Sequence, residues 1–381
     1  MISSRLSMAI TTLAGVLAAC SISFSVGVKA ADESKSEVAT SAAANVPAPA
    51  TNSTAVVATP APVPTPAPVN PRVAVIERIS QAALQAMSQS NDPVALVLSA
   101  KYVRDANLKP GEKRDDVEKA DLQAAALMRA QKLTTKKNSD FVHSQIAMFC
   151  LGFPAKSLCN GVDPAQTFAE SAPENVTGWL IMAGREFSQG LNAIAQTYLE
   201  KAANAKSSAW FYKEGAANAL KYAKKVKGPA IKIKAGDAEA AVFTILNGIT
   251  LPAYKQFSQM CNPDGEGKLP EGRYPLCRQV AQLLIDQGET NLELFVGYKV
   301  LERLANGEKK ADEAKITLDR YNATQAAIDF LWKSTLKFPP QTGAEAVSFK
   351  AYFADFIKYG EVKATRNALK RAGKSVDSFM P

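Results

Sequence analysis

Histidine is almost missing from this chain of 381 residues, where His143 stands alone. That count excludes multi-histidine metal centres and leaves any serine- or cysteine-histidine catalyst dependent on one imidazole. No C-x-x-C spacing occurs either, so a structural zinc site lacks its ligand pattern. No stretch alternates apolar and polar residues between hairpin turns, which argues against a sheet of any size. Acids are outnumbered, 36 against 45 lysines and arginines, and the formal charge is +9. Such a surplus favours anionic neighbours, such as lipid head groups, anionic glycans or acidic proteins. Nucleic acid is not among them, because no aromatic-interleaved basic motif is present.

The chain begins with one charge, Arg5, and a continuous apolar stretch from Leu6 to Leu17. This has the length of a signal h-region and is too short for a membrane span. Leu17-Ala18-Ala19-Cys20 reads as a lipobox, with lipidation at Cys20 after removal of residues 1–19. Cleavage after Val28-Lys29-Ala30 is the competing reading, and a retained anchor helix the third. All three export the chain, to the periplasm or to a membrane as a lipoprotein. Eight prolines between Pro47 and Pro71 then forbid helix and favour polyproline II, so residues 20–71 read as a disordered Ala/Pro/Thr-rich linker.

Of five cysteines, Cys20 is lipidated or removed, and Cys150, Cys159, Cys261 and Cys277 remain. An even number in an exported chain reads as two disulfides with three connectivities open. Local spacing favours Cys150–Cys159 and Cys261–Cys277. The second closes "CNPDGEGKLPEGRYPLC", a loop rich in glycine and proline. His143 lies seven residues before Cys150 on the same helical face, but a Cys-His nucleophile would need Cys150 reduced. The reading is a structural histidine.

From residue 72 on, apolar residues recur at three- and four-residue steps, as in Val75, Ile76, Ile79, Ala82, Ala83 and Met87. Asp92-Pro93 ends one helix and caps the next, and Ser139-Asp140 is expected to cap "FVHSQIAMFCLGF". Seven or so helices are expected beyond Gly228-Pro229. The fold class is all-α, with paired helices at 72–234 and a further helical region at 235–381.

Between Val176 and residue 209, Trp179, Ala183, Ala195, Leu199 and Ala202 follow the order of a helical-hairpin repeat. Alanines let two helices nest while Trp179 and Leu199 fill the groove. This window resembles a tetratricopeptide or Sel1-type repeat, departing where glycine is expected (Ala183) and lacking a closing proline. The resemblance implies an α-solenoid with a concave binding face. The whole arrangement is similar to exported helical proteins of the Gram-negative envelope, a resemblance that carries no activity with it.

"KYAKKVKGPAIKIK" at 221–234 holds six lysines and no acid. Lys224, Lys225 and Lys227 suit a solvated helix end. With Lys221, Lys232 and Lys234 they also form a candidate anion-binding patch. "AGKS" at 372–375 resembles the end of a phosphate loop, but Ala368 stands at its first glycine position. "DGEGKL" at 264–269 misses the calcium-loop pattern, so both read as turns. A lytic-transglycosylase Glu-Ser pair fails too, since Glu170-Ser171 precedes "APENVTGW". No cofactor, metal or catalytic residue is expected. The expectation is a non-catalytic exported cell-envelope scaffold that binds a protein or peptide and is tethered at the membrane through Cys20. The alternative is a periplasmic hydrolase or lyase acting on the cell wall.

Overall fold

A computed structural model describes residues 71–105, 114–154, 156–160, 163–227, 232–246, 249, 254–264, 266–340 and 342–381. The expected signal segment, Cys20 and the expected linker as far as residue 70 lie outside the described residues, whereas Pro71, read as the linker's end, is the first residue of a helix. The helices run α1 Pro71–Ser88, α2 Pro93–Asp105, α3 Asp116–Lys132, α4 Ser139–Gly152, α5 Pro164–Ser171, α6 Val176–Ser188, α7 Asn192–Ala203 and α8 Tyr212–Ala223. Seven more follow: α9 Asp237–Leu246, α10 Tyr254–Met260, α11 Arg273–Gln287, α12 Asn291–Gly307, α13 Ala311–Phe330, α14 Gly343–Tyr359 and α15 Glu361–Arg371. There is no strand among the described residues. The protein is all-α. No described helix is long and apolar enough to cross a membrane.

Local chemistry sets the helix starts. Asp92 Oδ1 accepts the N–H groups of Val94 (3.0 Å) and Ala95 (3.4 Å), with Pro93 in the first turn. Asp163 does the same for α5. At α4 the expected cap is corrected. The N-cap is Asn138, without a side-chain bond to the helix, while Ser139 Oγ lies 3.1 Å from His143 Nδ1. Ser139 has helical geometry, so its hydroxyl meets the side chain one turn on instead of an exposed amide.

Consecutive helices pair, with α2 on α3, α4 on α5, α6 on α7, α11 on α12 and α14 on α15. In the α6–α7 hairpin, Ala183, Ala195, Leu199 and Ala202 are wholly buried and Trp179 is 8% exposed. Trp179 stacks on Tyr198 at 6.2 Å, and its indole N–H donates to Pro173 O at 2.8 Å. The repeat-like spacing thus marks a real helix–helix seam. Other contacts run beyond nearest neighbours. α1 packs on α8 and α9, where Arg72 Nε meets Asp237 Oδ1 at 2.8 Å and Ser80 Oγ donates to Ala241 O at 3.2 Å. α14 also packs on α8, and Phe243 of α9 is ringed by Trp332, Phe349, Tyr352, Phe353 and Phe356. Residues 71–381 therefore share one continuous core. Burying each large apolar side chain in it contributes about 1.5–3 kcal/mol.

Candidate functional site

The segment "GETNLE", 288–293, links α11 to α12. Gly288 is required by space, because a Cβ there would stand 2.4 Å from Leu284 O and 2.8 Å from Glu293 Cβ. Thr290 and Glu293 form a capping box. The Thr290 N–H donates to Glu293 Oε2 at 2.8 Å and the Glu293 N–H to Thr290 Oγ1 at 3.3 Å. An ordinary capping box is solvent-exposed, but Glu293 is completely buried here. Ser208 supplies a hydrogen bond to its other oxygen.

Glu289 gathers a second set of partners. Its Oε2 accepts the N–H groups of Trp210 (3.2 Å) and Phe211 (3.1 Å), and its Oε1 pairs with Lys213 Nζ at 2.6 Å. Phe211 has a left-handed backbone, φ 61°, and the Glu289 carboxylate holds this turn at the entry to α8. The Glu289 carbonyl receives the N–H groups of Glu361 (2.7 Å) and Val362 (3.2 Å) at the start of α15. Glu361 in return accepts the Asn291 N–H at 2.9 Å. Three helices, α8, α12 and α15, are thereby clasped at their ends.

Burial raises the Glu293 carboxyl to about 7, against the hydrogen bonds from Ser208 and Thr290 that favour its ionised form. The nearby Glu289 charge pushes in the same direction as burial. Burial also raises Glu361, and it lifts the Tyr254 hydroxyl well above its ordinary value with help from Glu293.

Tyr254 connects this clasp to the surface. It lines a cavity of about 250 Å³ with Leu151, Pro154, Leu180, Ile181, Arg185 and Gln256. Gly184 lets α10 approach α6, since a Cβ there would meet Gln256 Cβ at 2.9 Å. The Tyr254 hydroxyl faces Glu293 and Thr177, while Gln256 Oε1 is buried without a hydrogen-bond partner. Arg185 is engaged, bonding Asp163 and, through Nε at 2.9 Å, Glu186. Cys150 borders the cavity and is joined to Cys159.

The sequence-derived candidates are scattered. Cys150–Cys159 and Cys261–Cys277 are both bonded, at Cα separations of 5.5 and 5.6 Å. Lys221, Lys224, Lys225, Lys227, Lys232 and Lys234 are all exposed, and none lines the cavity beside Tyr254. Lys221 and Lys224 stand 3.9 and 4.0 Å from Asp92 and Glu239. Lys225 sits over the Tyr222 ring. His143 is half-buried, and burial lowers its pKa. The aromatic residues Trp179 and Trp210 are in the core. "DGEGKL" is a turn in which Asp264 Oδ1 accepts the N–H groups of Glu266 and Lys268. Among the described residues no group of His, Cys, Asp and Glu could hold a metal ion.

Sequence reasoning missed Glu289, Glu293, Tyr254 and Gln256. The Thr290-x-x-Glu293 spacing was a readable signal for the helix start, but nothing local announced its burial. Neither protein-family models, curated proteins nor solved structures yield a match to this chain.

Proposed function

We propose that the helical body is a non-catalytic scaffold of the cell envelope that holds a protein or peptide partner at the cavity beside Tyr254. One observation supports this reading: Gln256, whose Oε1 is a buried acceptor without a hydrogen-bond partner, lines a cavity with apolar walls. Gln256 Oε1 can accept a peptide N–H. Satisfying buried polar atoms that the free protein leaves unpaired favours the bound state. The apolar walls at Leu151, Pro154, Leu180 and Ile181 suit one partner side chain. The two disulfides accord with an oxidising compartment, as export through the N-terminal signal requires. A tether at Cys20 would keep the body at a membrane, where its surplus of basic residues meets anionic lipid or glycan.

The test is site-specific photo-cross-linking in intact envelopes. A cross-linker at Gln189, on the cavity, should capture a discrete partner that the same group at Lys315 of α13 does not. Equal labelling from both positions would reject the cavity as the binding site.

The second reading, a cell-wall hydrolase or lyase, draws on the contact between Tyr254 and Glu293. A carboxyl raised to about 7 falls in the range suited to a general acid. Against it, a general acid must reach its substrate, and Glu293 is wholly buried with Ser208 and Thr290 on its two oxygens. Release of muropeptides from purified cell wall by the native protein, lost in Glu293→Gln, would favour the enzyme.

A further inference from the structure

Arg273 is a buried cation without a counter-ion. It is 4% exposed, and its Nε has no hydrogen-bond partner. Burial lowers its pKa with no neighbouring carboxylate acting against it. A guanidinium cannot escape this penalty by releasing its proton, as a buried lysine can. An uncompensated buried charge is costly, so such a group is a place where an anion belongs.

The surroundings are built for one. Arg273 is the first residue of α11, whose N-cap is Gly272 in left-handed geometry, φ 73°, with no side chain capping the helix. The positive end of the helix dipole therefore lies at Arg273, although the Arg273 N–H is taken by Pro270 O at 3.1 Å and Pro275 has none to offer. Arg273 lines a cavity of about 380 Å³ together with Gln259, Asn262 and Lys268, against apolar walls from Phe187 and Met260. This volume lies within the roughly 300–1,000 Å³ of small-ligand cavities. Asp264 also borders the cavity, yet its Oδ1 is held by the N–H groups of Glu266 (2.9 Å) and Lys268 (2.7 Å). Lys268 Nζ pairs with Glu266 at 2.6 Å, which leaves the Arg273 guanidinium as the cavity's unpaired cation, with the Asp264 carboxylate held by backbone N–H groups. The Cys261–Cys277 disulfide ties the end of α10 to α11 and fixes the two walls.

We propose that this cavity is an anion-recognition site that takes the carboxylate or phosphate group of a small-molecule ligand on the Arg273 guanidinium. The planar fork of arginine binds either oxyanion through two parallel hydrogen bonds. The site is separate from the cavity beside Tyr254 and does not depend on the scaffold reading. It also differs from the lysine-rich stretch at 221–234, where the charges are exposed and two have acidic neighbours.

The experiment follows the arginine Nε–H resonances of the full-length, disulfide-bonded protein, with Arg273 assigned by its loss in Arg273→Lys. Inorganic phosphate and acetate are titrated separately at constant ionic strength, which distinguishes the two anion types. A saturable shift of the Arg273 signal with either anion is expected. Phosphate or acetate should correspondingly raise the melting temperature of the native protein and leave Arg273→Met unmoved. Arg273→Met itself should melt no lower than the native protein without anion, because it removes an unpaired buried charge. Absence of a saturable shift with both anions, or equal stabilisation of Arg273→Met, would overturn the proposal.

Discussion

Ser208 gives a hydrogen bond to the carboxylate of Glu293, a residue 85 positions further along the chain. Both side chains are buried, Ser208 at 3% exposure and Glu293 at 0%. The bond ties the segment ahead of α8 to the first turn of α12, and with Glu289 it joins two distant parts of the sequence at one point. Its chemistry is two-sided. The hydrogen bonds favour the ionised carboxylate, while burial favours the protonated acid and prevails.

The pH dependence follows from that balance. The folded-state pKa of Glu293 is raised from 4.5 to about 7, so between these values the folded protein holds a proton that the unfolded chain releases. Stability from this group is present below about 4.5 and is lost as pH rises through about 7, on the order of a few kcal/mol. Glu293→Gln keeps an acceptor for Thr290 and removes the titration. Denaturant unfolding across this interval should show the variant gaining on the native protein as pH increases. A constant difference between the two would mean that Glu293 ionises normally.

The disulfide closing the longer loop should matter most. Cys261–Cys277 spans 16 residues and Cys150–Cys159 spans 9. Loop entropy assigns the first about 3 kcal/mol and the second somewhat less. Cys261→Ala/Cys277→Ala should therefore lower the melting temperature more than Cys150→Ala/Cys159→Ala. Free thiols at Cys261 and Cys277 in protein from its native compartment would sink the argument.

Gly297→Ala tests the α11–α12 seam. A Cβ at Gly297 would stand 2.6 Å from Ala281 O and 2.7 Å from Ile285 Cγ1, and the carbonyl cannot turn aside as a flexible side chain could. Alanine gains up to about 1 kcal/mol of helix propensity, but overpacking costs typically 1–3 kcal/mol. Net destabilisation in chemical denaturation is expected; a more stable variant would show that the two helices separate cheaply.

Cys20→Ser addresses the tether. Lipidation predicts a mature protein that begins at an acylated Cys20 and fractionates with membranes, and a serine variant that does not. N-terminal sequencing that starts at Ala31 would instead assign ordinary cleavage after Ala30.

The sequence by itself determined the helical class, because a 3.6-residue apolar period and capping residues act within a turn or two. Asp92-Pro93 was legible as a helix start for that reason, and the two cysteine pairs because each closes a short loop. The small residues at Ala183, Ala195 and Ala202 showed where two helices nest. Only the tertiary structure decided that α1 lies on α8 and α9, that Glu289 and Glu293 meet the segment at 208–213, and that Arg273 is buried at the wall of a cavity. Charge runs drew attention to lysines at 221–234, yet those lysines remained in solvent. The isolated Arg273 was buried instead. Burial and pKa depend on which groups arrive from elsewhere in the chain, and the low dielectric that gives Glu293 and Arg273 their character exists only once those distant helices close around them.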